Sequence, residues 1–182
     1  GELLILAVGR LTPQKGFQHL IYAMPQILRR HPKAKLLIVG DGWMRGELER
    51  AAYEVGCHER IRFTGFLSDD ELIELYLSAD LLVVPSIYEP FGITALEGMA
   101  AGLPVVASKV GGLQYIVEHE RTGIWVIPGD PRSIAWGVDY VLSNPDRAKQ
   151  MGENARRKVK NEYSWDIIAE RTIGIYKKTL MG

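Results

Sequence analysis

Leu3-Leu4-Ile5-Leu6-Ala7-Val8 is apolar without a break and runs into Gly9-Arg10-Leu11-Thr12-Pro13-Gln14-Lys15-Gly16, after which apolar residues recur at Phe17, Leu20, Ile21, Met24, Ile27 and Leu28. A strand that is apolar on both faces belongs to a parallel sheet covered by helices on both sides. The residues after Gly16 fall on one stripe of a helix. Pro25 removes one hydrogen bond inside that helix, which predicts a kink. The unit is thus a strand, a glycine-bearing loop and a helix. Moving outward, similar apolar runs return at residues 36–39, 61–63, 81–84, 105–107 and 124–127, with helical periodicity between them. Ser68 with Glu71 reads as a capping box opening a helix that carries Leu72, Leu75 and Tyr76. Strand and helix alternate about six times, the pattern of an α/β, three-layer, doubly wound domain with a mainly parallel sheet of about six strands.

Beyond Pro128 the strands stop, and residues 131–142, 145–161 and 165–180 read as helices, the last with Ser164 as its N-cap. No repeat, low-complexity tract or linker divides the chain. The expectation is one domain over residues 1–182, alternating up to about residue 128 and mostly helical from about 129 onward. The length is enough to bury about two-thirds of the unfolded surface. Lys and Arg number 22 and Asp and Glu 22, so no general attraction to nucleic acid or to an anionic membrane is expected. Any phosphate site must then be built from individually placed groups. Cys57 is the single cysteine, which excludes an internal disulfide, and His19, His31, His58 and His119 show no zinc-ligand spacing. A reducing, cytoplasmic compartment is the expectation. No apolar run approaches the roughly 18–20 residues of a membrane span, and no leader pattern is present. Because Gly1 lies only two residues from an apolar strand, the chain reads as a piece of a longer protein.

Open parallel sheets bind ligands at the carboxyl ends of their strands, which makes three loops informative. The first, residues 9–16, offers Gly9 and Gly16 for close backbone approach, Arg10 and Lys15 for phosphate, and the start of a helix whose amides face outward. It lacks the Lys-Ser/Thr order of a Walker loop. The second holds Gly40, Asp41, Gly42 and Gly46. It resembles a dinucleotide fingerprint but has one residue too many and follows the second strand, so it also reads as a plain tight turn. The third runs from Pro85 to Gly102. Pro90 keeps Glu89 out of the helix, which begins near Gly92, and Glu97 lies one to two turns inside it. Both acids can face one cleft from different heights. The free amides of Phe91, Gly92, Ile93 and Thr94 can hold a phosphate. The bland alternatives are a helix-dipole acid at Glu89 and an ion-pair partner or surface residue at Glu97.

Glu89 and Glu97, seven residues between them, are followed by Met-Ala-Ala-Gly-Leu-Pro-Val-Val-Ala-Ser. This resembles the paired-glutamate motif of retaining glycosyltransferases of the two-domain GT-B type, in particular family four. Gly9-Arg10 with Lys15-Gly16, the Val39 to Gly42 turn, Phe63-Thr64-Gly65-Phe66 and Tyr163-Ser164-Trp165 stand in family order, so the resemblance covers essentially the whole chain. It implies a Rossmann-like donor-binding domain, one half of a GT-B architecture whose N-terminal acceptor domain is absent from these residues. By position, the resemblance gives Arg10 and Lys15 to the diphosphate of a UDP-, GDP- or ADP-sugar. It gives Glu89 to the donor sugar, Glu97 to the ribose and the amides of Ile93 and Thr94 to the distal phosphate. Gly9, Gly16, Gly40, Gly42, Pro90, Phe91 and Gly92 line the same region, and the base lies against Phe66 and Leu67. Starch and glycogen synthases of the bacterial type resemble this pattern but have an aromatic where Glu97 stands, so the sequence leans away from that branch without excluding archaeal-style glucan synthases.

The implied chemistry is transfer of a hexosyl group to an acceptor hydroxyl with retention of configuration, Arg10, Lys15 and Glu89 being the catalytic set. With no Asp-x-Asp pair in the sequence, cations and a helix N-terminus are expected to replace a metal, and no cofactor is expected. This fragment is expected to bind donor and to be nearly inert as a transferase, its final helix exposing an apolar stripe where the absent domain would lie. A peripheral membrane attachment of the whole protein would lie in that absent half. The alternatives are a sugar-nucleotide epimerase of the same architecture, a nicotinamide dehydrogenase, and a non-catalytic nucleotide-binding or interaction domain.

Overall fold

The structure, a computed structural model, describes residues 1–180. Strands β1 (Leu3–Val8), β2 (Ala34–Val39), β3 (Ile61–Gly65), β4 (Leu81–Val84), β5 (Val105–Ser108) and β6 (Gly123–Val126) form one sheet. All pairings are parallel and the order is β3-β2-β1-β4-β5-β6. The helices are α1 (Phe17–Arg30), α2 (Arg45–Glu54), α3 (Asp69–Ser78), α4 (Ile93–Ala101), α5 (Leu113–Ile116), α6 (Pro131–Ser143), α7 (Pro145–Glu162) and α8 (Trp165–Leu180). The apolar runs of the sequence all mark strands; β4 and β5 are buried on both faces, whereas the edge strand β3 exposes Arg62. In β4, Leu81 and Val83 join one core with α1, α2 and α6, while Leu82 and Val84 join a second with α3, α4 and α5. Helices therefore cover the sheet above and below.

Side-chain caps decide the starts of α3, α6 and α8. Ser68 accepts from the Glu71 amide and Glu71 Oε2 accepts from the Ser68 amide at 2.8 Å, so the expected capping box is formed. Ser164 Oγ accepts from the Ile167 amide at 3.4 Å at the start of α8. Helix α1 runs through Pro25 without interruption. The one-turn α5 was not anticipated, since four residues carry too little periodicity to stand out. Among the described residues no helix is long and apolar enough to cross a membrane. Helix α8 leaves Trp165, Ile173, Ile175 and Tyr176 exposed, which is the apolar stripe expected there. Of the helical tail, residues 181 and 182 lie outside the described residues.

Helix α7 is fastened to the segment after α5 by charge. Lys158 Nζ lies 2.6 Å from Glu118 Oε1 and 3.2 Å from the Tyr115 carbonyl oxygen, and Arg121 reaches Glu118 Oε2 at 2.9 Å. The hydrogen bond from Lys158, aided by its charge and that of Arg121, holds the Glu118 carboxyl below its ordinary 4.5, against a smaller opposing effect of burial. A carboxyl lowered on folding contributes stability above its unfolded value and loses it as the pH falls through the folded one. The melting temperature of the unmodified chain should therefore exceed that of Glu118→Gln at neutral pH, with the gap closing below pH 4.5. A gap of constant size across the acid range would refute the linkage.

Candidate functional site

In the strand order the direction of growth reverses between β1 and β4. The connection after β1 leads to α1 on one face of the sheet, and that after β4 leads to α4 on the other. A crevice opens between two such loops at the carboxyl edge. Both of the strongest candidate loops of the sequence flank that point.

The first loop ends in a 3-10 turn, Pro13–Lys15, capped by Gly16 in the left-handed region at φ 68°. A Cβ at Gly16 would stand 2.1 Å from the Pro85 carbonyl oxygen, so a glycine is required where the two loops touch. The Gln14 carbonyl accepts from the amides of Ile87 and Tyr88 at 2.8 and 3.2 Å. This seam brings Lys15 Nζ to 2.6 Å from Glu89 Oε2, across 74 residues of sequence. The buried Ser86 donates to the same carboxylate oxygen at 3.3 Å. Glu89 is thus an inward-facing, 8% exposed carboxylate with an ammonium on it, and not simply an acid at a helix dipole. The Lys15 side chain passes over Gly9, where an added Cβ would meet its Cδ and Cε at 3.6 Å. Arg10 is exposed and has no ion pair among the described residues, which leaves a free guanidinium beside the crevice.

Gly40 and Gly42 serve the first loop from beneath. A Cβ at either would come within 2.1 or 2.4 Å of the Gly9 or Leu11 carbonyl oxygen. The Leu11 amide donates to the Asp41 carbonyl at 2.9 Å, and the Met44 amide donates back to Leu11 at 3.2 Å. The second loop is the tight turn the sequence allowed. Gly40 and Gly42 make room for protein backbone, which is not their use in a dinucleotide fingerprint.

Helix α4 opens at Gly92, φ 107°, with no side chain capping it, so the amides of Ile93 and Thr94 begin an unmasked, positively polarised helix end. Pro90 and Phe91 are exposed on the approach to it. The backbone of this approach is held by two residues that the sequence reading missed. The Gly112 amide donates to the Glu89 carbonyl at 2.9 Å. A Cβ at Gly111 would stand 2.0 Å from the Glu89 carbonyl oxygen, and one at Gly112 would stand 2.0 Å from that of Phe91. The available signal was an adjacent glycine pair directly after an apolar strand, at the same edge of the sheet as the other loops.

Glu97 is exposed on α4, and its Oε2 accepts from the Tyr76 hydroxyl of α3 at 2.8 Å. It stands at the rim of an open groove of about 560 Å³ between α3 and α4, lined by Leu72, Ile73, Leu77 and Ala100. The two glutamates share no partner: Glu89 faces Lys15 and Glu97 faces Tyr76. Phe66, 81% exposed, stands on the loop after β3, while Leu67 packs partly beneath. The Gly40 amide binds the Gly65 carbonyl at 2.9 Å and ties that loop to the second one. Together the edge carries two cations, a helix N-terminus, two carboxylates with a fixed partner each, and an exposed aromatic ring. Such a set suits a polyanion linked to a hydroxylated and a planar group.

The family of Glycosyl transferases group 1 matches residues 1–158. An uncharacterized glycosyltransferase of Methanocaldococcus jannaschii is 55% identical over 97% of this chain and 45% of its own length. A glycogen synthase of Mycobacterium tuberculosis is 38% identical over 97% of this chain and 42% of its own. The lean away from glycogen synthases drawn from Glu97 gains no support from that relative. The crystal structure of Anabaena HepE in complex with UDP and glucose superposes with a TM-score of 0.88 at 27% identity, covering 97% of this chain and 48% of that one. The chain spans about half the length of the relatives it matches. The two relatives are named a glycosyltransferase and a glycogen synthase, and neither name supports the epimerase or dehydrogenase alternative. A doubly wound sheet in this strand order, matched from end to end by one half of such enzymes, places the chain in the group 1 glycosyl transferases, of GT-B architecture.

Proposed function

We propose that these residues form the nucleotide-sugar donor half of a retaining hexosyltransferase, which moves a hexosyl group from a nucleoside diphosphate to an acceptor hydroxyl. The observation that carries this is that the loop bearing Arg10 and Lys15 and the uncapped start of α4 flank the reversal point of the sheet, with Lys15 on a buried carboxylate. Charge accumulates on the diphosphate as the glycosidic bond breaks. Groups aimed at that charge lower the barrier, each charge-assisted hydrogen bond contributing roughly 1.5–3 kcal/mol, or about ten- to a hundredfold in rate. In this assignment Arg10 and Lys15 stabilise the leaving diphosphate, the amides of Ile93 and Thr94 hold its distal phosphate, and Glu89 meets the sugar. Glu97 takes the ribose hydroxyls and Phe66 the base. With the cations of this chain in that role, the reaction is proposed to need no divalent metal ion. A double-displacement scheme through Glu89 needs a second carboxylate about 5 Å away across the bond, and Glu97 is engaged elsewhere, on Tyr76. Displacement on the sugar face that the diphosphate leaves, with the leaving phosphate taking the acceptor proton, fits the residues better. UDP with glucose beside the related fold supports a donor of this class.

The test is calorimetric titration of the chain with UDP, GDP, ADP and their hexose conjugates. Binding of one diphosphate with a dissociation constant in the micromolar to millimolar range, about −4 to −8 kcal/mol, is the expected result and names the donor. Failure of all three would overturn the donor assignment for these residues.

A further inference from the structure

Of the two glutamates, Glu97 is the exposed one, and a carboxylate on a helix surface samples several rotamers unless something holds it. Tyr76 is 4% exposed, its ring packed in the core under α3 and α4, and its hydroxyl emerges at the groove to meet Glu97 Oε2 at 2.8 Å. A rigid aromatic stem rooted in the core thus fixes one oxygen of a surface carboxylate from a different helix. Tyr76 donates a single proton, and a carboxylate has about four acceptor positions. Oε1 and the second lone pair of Oε2 stay free for two hydroxyl groups.

We infer that Tyr76 is a positioning residue for nucleotide recognition: it orients the Glu97 carboxylate so that its free oxygen positions accept the vicinal hydroxyls of a ribose. The inference rests on the ribose role proposed for Glu97. Its energetic basis is pre-organisation, the rotamer freedom of Glu97 being given up before the ligand arrives. Burial, then the neighbouring Glu97 charge, pushes the Tyr76 hydroxyl well above its ordinary pKa, so it remains a donor across the working range. Asp69 is the other carboxylate at this groove and lies on the far rim, on the first turn of α3.

The experiment measures the ratio of affinities for each of UDP, GDP and ADP over its 2′-deoxy counterpart. It compares the unmodified chain, Tyr76→Phe, Glu97→Gln and the double variant. Phenylalanine keeps the buried ring and removes only the hydroxyl. The expected result is a ribose preference reduced about three- to tenfold by Tyr76→Phe, removed by Glu97→Gln, and not reduced further in the double variant. A loss of stability alone would move both affinities together and leave the ratio intact. If Glu97→Gln removes the preference while Tyr76→Phe leaves it unchanged, the positioning role is wrong and the ribose role stands. If the unmodified chain shows no preference, or Glu97→Gln does not alter it, the ribose role itself fails and the inference falls with it.

Discussion

Lys15→Ala is expected to weaken binding of a nucleoside diphosphate by about ten- to a hundredfold while leaving the parent nucleoside unaffected, the loss of one charge-assisted hydrogen bond to phosphate. The same variant also leaves Glu89 buried with only Ser86 near its Oε2. Removing one partner of a fully buried pair costs roughly 3–5 kcal/mol. The Lys15 side chain is 27% exposed and the Glu89 side chain 10%, so a smaller cost of about 1–3 kcal/mol is expected here. Two effects are therefore mixed in one substitution, and the structure shows how to part them. Glu89→Gln keeps the shape and removes the charge that Lys15 answers. In that background Lys15→Ala should lose most of its stability cost and retain its effect on the diphosphate. Should the binding effect vanish as well, Lys15 would be a strut for Glu89 and no ligand for phosphate. An ammonium carries three donors, so the contact with Glu89 leaves two for a diphosphate.

Gly111→Ala is expected to be among the most damaging single-methyl changes in the chain. Its Cβ would stand 2.0 Å from the Glu89 carbonyl oxygen, against backbone that cannot swing aside as a flexible side chain would, and its φ of 45° is in the left-handed region. Overpacking and left-handed strain each cost about 1–3 kcal/mol, so a combined loss near 2–6 kcal/mol follows, or roughly 4–24 °C in melting temperature for a domain of this size. The displaced segment carries Glu89 and leads to the start of α4, so diphosphate affinity should fall with stability. Gly46→Ala is the matched control. It lies within α2 with nothing within 4 Å of its Cβ and should stabilise by about 0.5–1 kcal/mol. Equal, small shifts for both variants would mean that the Gly111–Glu89 contact relaxes freely and that the third loop is not held from behind.

Apolar periodicity is a local property, and it was enough to reveal the parallel α/β sheet, its six strands and the helical end of the chain. A strand buried on both faces and a helix buried on one each write their burial into a short window of residues. The loops were legible for a related reason: glycines, cations and a proline before a helix limit what the backbone can do nearby. Glu89, Glu97, Arg10 and Lys15 were picked out as residue types at or just beyond the carboxyl edge of the sheet. What they face was not readable. Lys15 meets Glu89 across 74 residues and Tyr76 meets Glu97 across 21, and each contact exists only because two loops or two helices cross in space. That both acids can face one cleft came from their spacing in sequence. The fold adds that the loop carboxylate is held inward by an ammonium and the helix carboxylate is held at the surface by a phenol. Gly40, Gly42, Gly111 and Gly112 carry the same lesson, since a glycine's use is set by whatever backbone approaches its missing side chain. The sequence by itself determined which layers form and at which edge of the sheet the candidate loops lie, because burial and backbone preference act over a few residues. The partners of each charged group were decided by tertiary structure alone, because Coulomb and hydrogen-bond contacts depend on distances that only the packed loops define.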